Sequence, residues 1–252
     1  MISKLLAYDV FIFRFILSLA FLGHGLVSLN LSPSYNLHYN LIDVVNITSF
    51  STKSLITFQA FFDISISIFL FFFNRSKYFF YIILFYLFLV CVSAMIFYYE
   101  QTNYVFGFAE CFRRLPWIFI SIFLIYELLG IKKYFLIRIA LSFAFLSHGL
   151  ASLGFLGLNQ GHIDLAMQIV SKENARLFVT YTGFSDIVIG LFLLQGVLTR
   201  YFAFLGALWI MFIVYLSFLN ALPDAIFRFG FFILAIYVII DKRCYTPKFI
   251  KI

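Results

Sequence analysis

Eight apolar runs, at about 5–29, 55–73, 78–99, 115–130, 134–158, 177–195, 201–221 and 226–241, leave almost no room in this 252-residue chain for anything but membrane-spanning helices. A hydrocarbon core of ~30 Å needs roughly 17–25 apolar residues at a rise of ~1.5 Å each. The fourth and eighth runs are short and need their flanks to cross. Hydrophobic residues make up 64% of the chain and charged residues 12%, and mean hydropathy is +1.03, far from the balance of a soluble domain. The alternation of a barrel strand is missing, so helices are the form that satisfies the backbone in lipid. The expected fold class is all-α integral membrane.

The first run is too long for a signal h-region and lacks a small-residue cleavage site, so it reads as structural. Phe is abundant, at 38 residues, with 16 Tyr. An AT-rich genome writing its apolar codons accounts for most of that bias. Cys91, Cys111 and Cys244 are scattered without ligand spacing, which supports neither a disulfide framework nor a zinc site. No P-loop, dinucleotide fingerprint or nucleophile elbow is present.

The chain also repeats itself. Residues 17–29, LSLAFLGHGLVSL, return at 141–153 as LSFAFLSHGLASL. At the same offset Arg14 maps to Arg138, His24 to His148, Gly25 to Gly149, Ser28 to Ser152 and His38 to His162. FFDISISIFLFF (61–72) matches FSDIVIGLFLL (184–194), setting Asp63 on Asp186. ECFRRLPWIF (110–119) aligns with DAIFRFGFFI (224–233), so Glu110 and Arg114 meet Asp224 and Arg228. In each pair the acid and the Arg are four residues apart, on one helix face, and Pro116 and Pro223 sit near the helix starts. The expected units are 1–130 and 131–252, the second with a basic tail. Four spans per unit make the two halves parallel rather than inverted.

Lys and Arg set the orientation. The end with both termini carries ten basic and three acidic residues, and the opposite end six of each. The termini are therefore expected on the cytoplasmic or matrix side. The tail DKRCYTPKFIKI reads as a lipid or topology anchor, not a nucleic-acid arm.

The repeated polar set leans toward the loop end. From the helical rise, His24 lies about 7 Å below that rim, Asp63 about 12 Å and Arg14 about 22 Å. A charge at mid-membrane is costly, so Asp63 needs a partner, and both His24 and Arg14 are at suitable depth. An Arg14–Asp63 and Arg138–Asp186 pairing would hold each bundle together. Alternatively His24, His148, Asp63, Asp186, Arg14 and Arg138 form a binding set for haem or quinone. Small residues beside His24 and His148 permit close helix approach. His38 and His162 fall in loops 30–54 and 159–176, long enough to fold over the loop end as a lid, and read as loop contacts.

An Arg in the first helix, HG at its outer end, an acid in the second and an Arg opening the fourth resemble the DoxX family of four-helix membrane proteins. The matching residues are Arg14, His24, Gly25, Asp63 and Arg114, then Arg138, His148, Gly149, Asp186 and Arg228. Ser28 and Ser152 stand where the family usually has a basic residue, and Asp63 and Asp186 where it commonly has Glu. The resemblance implies association with respiratory membrane complexes, whose relatives include quinone-reducing thiosulfate oxidoreductase subunits, a terminal-oxidase subunit and maturation factors. Three functions are weighed on this basis: a non-catalytic accessory subunit of a respiratory complex in an energy-conserving inner membrane, a quinone- or haem-binding redox subunit, and a small-solute transporter. The last is weakened by the lack of paired Gly/Pro helix interruptions. Expected partners are lipids and other membrane subunits.

Overall fold

A computed structural model describes residues 2–32, 34–45, 50–72, 76–100, 111–154 and 160–245. These residues hold ten α-helices and one short 3-10 turn. The first half contributes α1 (Ile2–Ser28), α2 (Tyr35–Val45), α3 (Thr52–Phe72), α4 (Lys77–Glu100) and α5 (Leu115–Leu128). The second contributes α6 (Phe135–Leu153), α7 (Gln160–Ala166), α8 (Lys172–Gln195), α9 (Thr199–Asn220) and α10 (Leu222–Ile240), then the turn Lys242–Tyr245. Seven helices are long and apolar enough to cross a membrane, and α5 is a shorter apolar helix of 14 residues. The eighth expected run is longer than the sequence suggested. Pro223 lies in its first turn, so α10 extends to 19 residues, because proline at a helix start forfeits only an N–H that has no partner there.

Sidedness follows from lipid rather than water. The faces of α3, α4 and α9 that carry Phe58, Phe69, Phe85, Phe88, Leu208 and Phe218 are exposed. In a bilayer such rings meet acyl chains and need no protein cover.

The two halves do not stand side by side as closed bundles. In each, the first long helix packs on the second, α1 on α3 and α6 on α8. The last helix of each half crosses to the other half, α10 packing on α1 and α5 on α6. Phe13 stacks edge-on against both Phe123 and Tyr237, at 4.8 and 4.6 Å between ring centres. One buried core therefore runs through both halves.

At the end bearing the termini, a polar cluster ties the halves together. Asp9, 4% exposed on α1, accepts hydrogen bonds from Tyr134 Oη and Tyr237 Oη, both at 2.8 Å. Arg243 donates to Asp9 at 2.9 Å and to Tyr134 Oη at 2.8 Å, and its guanidinium lies 3.9 Å over the Tyr134 ring. Asp241 lies 2.7 Å from the same Tyr237 hydroxyl, whose one proton serves both carboxylates, and Glu127 stands 3.3 Å from Tyr134 Oη. All three acids assigned to this end by sequence gather here. A buried carboxylate stripped of its partners is strongly destabilising, though Arg243 reaches solvent, which tempers the effect. Replacement Asp9→Leu is expected to lower stability by about 1–3 kcal/mol, read as a lower melting temperature in detergent. Tyr8→Leu, at a 69%-exposed neighbour, leaves it unchanged. Equal melting of the two variants would refute the clasp.

Candidate functional site: a histidine-lined cavity between the halves

The glycine of each HG pair explains how its histidine is placed. A Cβ at Gly25 would lie 2.9 Å from the Ala60 carbonyl oxygen and 2.8 Å from Ile64 on α3. A Cβ at Gly149 would lie 2.8 Å from the Gly183 carbonyl on α8. Only a residue without a side chain lets these backbones come so close. Serines fasten the same contacts: Ser18 Oγ meets Ser67 Oγ at 2.8 Å, and Ser142 donates to the Gly190 carbonyl at 2.7 Å.

The adjacent histidines then reach across. His24 Nδ1 donates to Asp63 Oδ2 and His148 Nδ1 to Asp186 Oδ2, both at 2.8 Å. A carboxylate acceptor selects the Nδ1–H tautomer and leaves Nε2 with its lone pair. Asp63 and Asp186 are 0% and 1% exposed. Their second oxygens, Oδ1, are buried and accept no hydrogen bond among the described residues. Tyr86 on α4 and Trp209 on α9 stand beside these carboxyl groups.

The pairing differs from one of the two sequence expectations. The partner of Asp63 is His24, and Arg14 Nε instead donates to the Leu70 carbonyl at 2.8 Å. Arg138, fully buried, lies against Gly196 at the α8 C-terminus. Leu70 is nearly two helical turns from Asp63, so Arg14 lies nearer the terminal end than the dyad. Neither Arg14 nor Arg138 lines the cavity described next.

The helices over the loop end complete the site. His38 on α2 and His162 on α7 stack on His24 and His148, with ring centres 4.1 and 4.2 Å apart. Each is hydrogen-bonded through Nδ1 to the serine that follows the HG pair by three residues, Ser28–His38 and Ser152–His162, both at 2.8 Å. All four histidines line one cavity of about 630 Å³ between the halves. Arg113, Arg114, Asp224 and Arg228 also line it, with an apolar wall that includes Phe21, Trp117, Phe145 and Phe231. Arg228 lies 3.7 Å from Asp224, four residues back on α10. Asp224 also accepts hydrogen bonds from Ser32 and Ser34, which carry the start of the α2 lid across to the second half. Glu110, expected to pair with Arg114, lies outside the described residues.

Residues 134–218 match the family model described as DoxX. This stretch is DoxX-like, within a chain whose helices fit a multi-pass membrane protein. The DoxX match covers Arg138, His148, Gly149, His162 and Asp186 and stops before Asp224 and Arg228. No curated protein and no solved structure matches the chain.

Sequence reasoning left His38 and His162 as loop contacts and did not single out Tyr86, Trp209 or Arg113. The offset pairing of His38 with His162 was the available signal, joined by Ser28 with Ser152. Tyr86 and Trp209 also share an offset, 123 residues, with Asp63 and Asp186, but they differ in type and so give no visible motif.

Two outcomes follow. Gly149→Val forces α6 and α8 apart, overpacking the contact by about 1–3 kcal/mol. Folded yield should fall several-fold, while Tyr181→Val, at a 65%-exposed position of α8, should leave it nearly unchanged; equal yields would overturn the close-contact account. The second concerns pH. Burial holds His38 and His162 well below the usual 6.5, helped by His24 and Arg114 for the first and by His148, Arg113 and Arg228 for the second. The surrounding protein keeps each ring from bulk water although part of it faces the cavity. The unfolded chain takes up these protons as pH falls through about 6.5, and the folded chain resists. Stability is therefore full above that pH and declines below it. The double replacement His38→Gln, His162→Gln should flatten the decline in melting temperature between pH 7 and 5.

Proposed function

We propose that the protein is a membrane-embedded subunit of a respiratory redox complex, and that its cavity holds the head group of a lipid-soluble quinone. One observation carries the reading: two His–Asp dyads, one from each half, face a single cavity of about 630 Å³ with an apolar wall. Ligand sites have this character, roughly 300–1,000 Å³ of mostly apolar lining with a few converging polar groups. The family association with quinone-linked respiratory proteins supports it.

A bound quinone supplies two-electron, two-proton chemistry, with electrons drawn from redox centres of partner subunits. The chain's own residues bind, orient and hold protons. Asp63 and Asp186 keep the imidazoles in the tautomer whose Nε2 accepts a proton from a hydroxyl or returns one to a carbonyl oxygen. Arg113 and Arg114 supply N–H donors at the cavity wall, and Trp117 and Phe231, 4.4 Å apart, offer ring faces. Haem is the second reading: His24 and His148 would hold its iron, because a histidine whose Nδ1–H is held by a carboxylate is the usual form of a metal-ligating histidine.

The same proposal takes residues 1–130 and 131–252 as two fused DoxX-like units in an energy-conserving inner membrane, with both termini on the cytoplasmic or matrix side. The basic excess at the terminal end supports that orientation.

Purified protein extracted with organic solvent should yield about one quinone per chain, and His24→Ala with His148→Ala should abolish it. A Soret band lost in the same variant would replace quinone by haem. Neither chromophore, in a preparation that still co-purifies with a large complex, would leave an accessory structural role.

A further inference from the structure

A second groove, of about 720 Å³, opens at the opposite end of the second half, where α8 turns into α9. Its walls include Gly196, Thr199, Arg200, Phe204, Ile239 and Tyr245. The turn is tight: Gly196 and Leu198 both have positive φ, at 79° and 47°. Gly196 is required twice over, since any Cβ there would also collide with the guanidinium of Arg138. A fully buried arginine thus lies directly under the groove floor.

Three further features make this groove attractive to an anion. Helix α9, 22 residues long, has no side-chain cap at its N-terminus, so its first N–H groups and the positive end of its dipole face the groove. Thr199, 3% exposed, has a hydroxyl without a hydrogen-bond partner among the described residues. Arg200 stands exposed at the rim. Asp241, which acts on Tyr245 at the groove wall, is occupied by Arg243, which donates to it at 2.8 and 2.5 Å.

The rest of the groove is apolar. Phe204 is 50% exposed and Tyr201 57%, both on the lipid-facing side of α9. Tyr245 forms the facing wall, its hydroxyl donating to the Ile239 carbonyl at 2.8 Å. A cationic head continuous with an apolar track matches a phospholipid and has no use for a small soluble anion.

The first half carries the same signature. Lys77 and Tyr78 open α4 as Arg200 and Tyr201 open α9, at the offset of 123 residues that relates Asp63 to Asp186. The Lys77 ammonium sits 5.5 Å from the Tyr78 ring centre, and Arg14 occupies the place of Arg138. Residues 73–75, beside that position, lie outside the described residues.

We propose that the α8–α9 groove binds the phosphate headgroup of an anionic phospholipid from the leaflet at the terminal end, with an acyl chain along Phe204 and Ile239. This rests on a different set of residues from the histidine cavity and stands whether or not that cavity binds quinone.

The full chain, delipidated in a neutral detergent, tests it by thermal unfolding against added lipid. Phosphatidylglycerol should raise the melting temperature, and phosphatidylcholine of matched chains should not. Arg200→Gln should raise the phosphatidylglycerol concentration needed by about fivefold, Arg200→Lys should restore it, and Lys172→Gln at the other end should change nothing. Native mass spectrometry should find fewer retained anionic lipids on Arg200→Gln and on Thr199→Val. An equal response to both lipids, or a wild-type response in Arg200→Gln, overturns the proposal. Inorganic phosphate reproducing the whole shift would assign the groove to a free anion and overturn it too.

Discussion

The close approach of α1 to α3, and of α6 to α8, is the constraint on which the rest of this structure turns. Each half buries a carboxylate inside the membrane, at Asp63 or Asp186. An ionised group there is tolerable only with a hydrogen-bonding partner in reach. The partner sits on the next helix, and it reaches only because Gly25 or Gly149 lets the two backbones touch. The HG dipeptide is therefore one device: the glycine sets the distance and the histidine uses it. Serines at 18, 67 and 142 add hydrogen bonds along the same seams, of the kind that hold helices together where lipid gives no hydrophobic drive between them.

A second constraint acts between the halves. If each half closed on itself, its dyad would face the interior of its own bundle. Because α10 packs on α1 and α5 on α6, the first helices are turned toward a shared interface, and the two dyads open on one cavity. The lids obey the same logic. His38 and His162 stack on the dyad histidines of their own halves, while Ser32 and Ser34 anchor the first lid to Asp224 of the other. At the far end Asp9, Tyr134, Tyr237 and Arg243 join the halves again. The site is thus framed by cross-half contacts at both ends, which favours a fixed container over two halves rocking apart.

Much of this was legible in the residues. Apolar run length marked the seven helices long enough to cross and the shorter eighth, Leu115–Leu128, since the bilayer imposes a minimum length that composition alone can meet. The repeat marked His24, His148, Asp63 and Asp186, because polar residues kept twice in an apolar chain stand out. Arg14 was harder to read. Depth along a helix placed it within reach of Asp63, but depth says nothing of rotation about the axis, and its Nε turns to the Leu70 carbonyl instead. His38 and His162 were hidden for a related reason: a residue in a connecting segment has no periodic face, so nothing local says that the segment folds back as a helix over the site.

The sequence by itself determined the class of molecule, the places of its apolar helices and the residues that carry its polarity, and it set the expectation of two parallel halves. Those properties follow from quantities additive along the chain, namely hydropathy, charge and spacing. The tertiary structure alone decided that Asp63 belongs to His24, that the last helix of each half crosses to the other, and that four histidines share one cavity. These depend on which helix faces meet, a relation among residues far apart in the chain that no local quantity records.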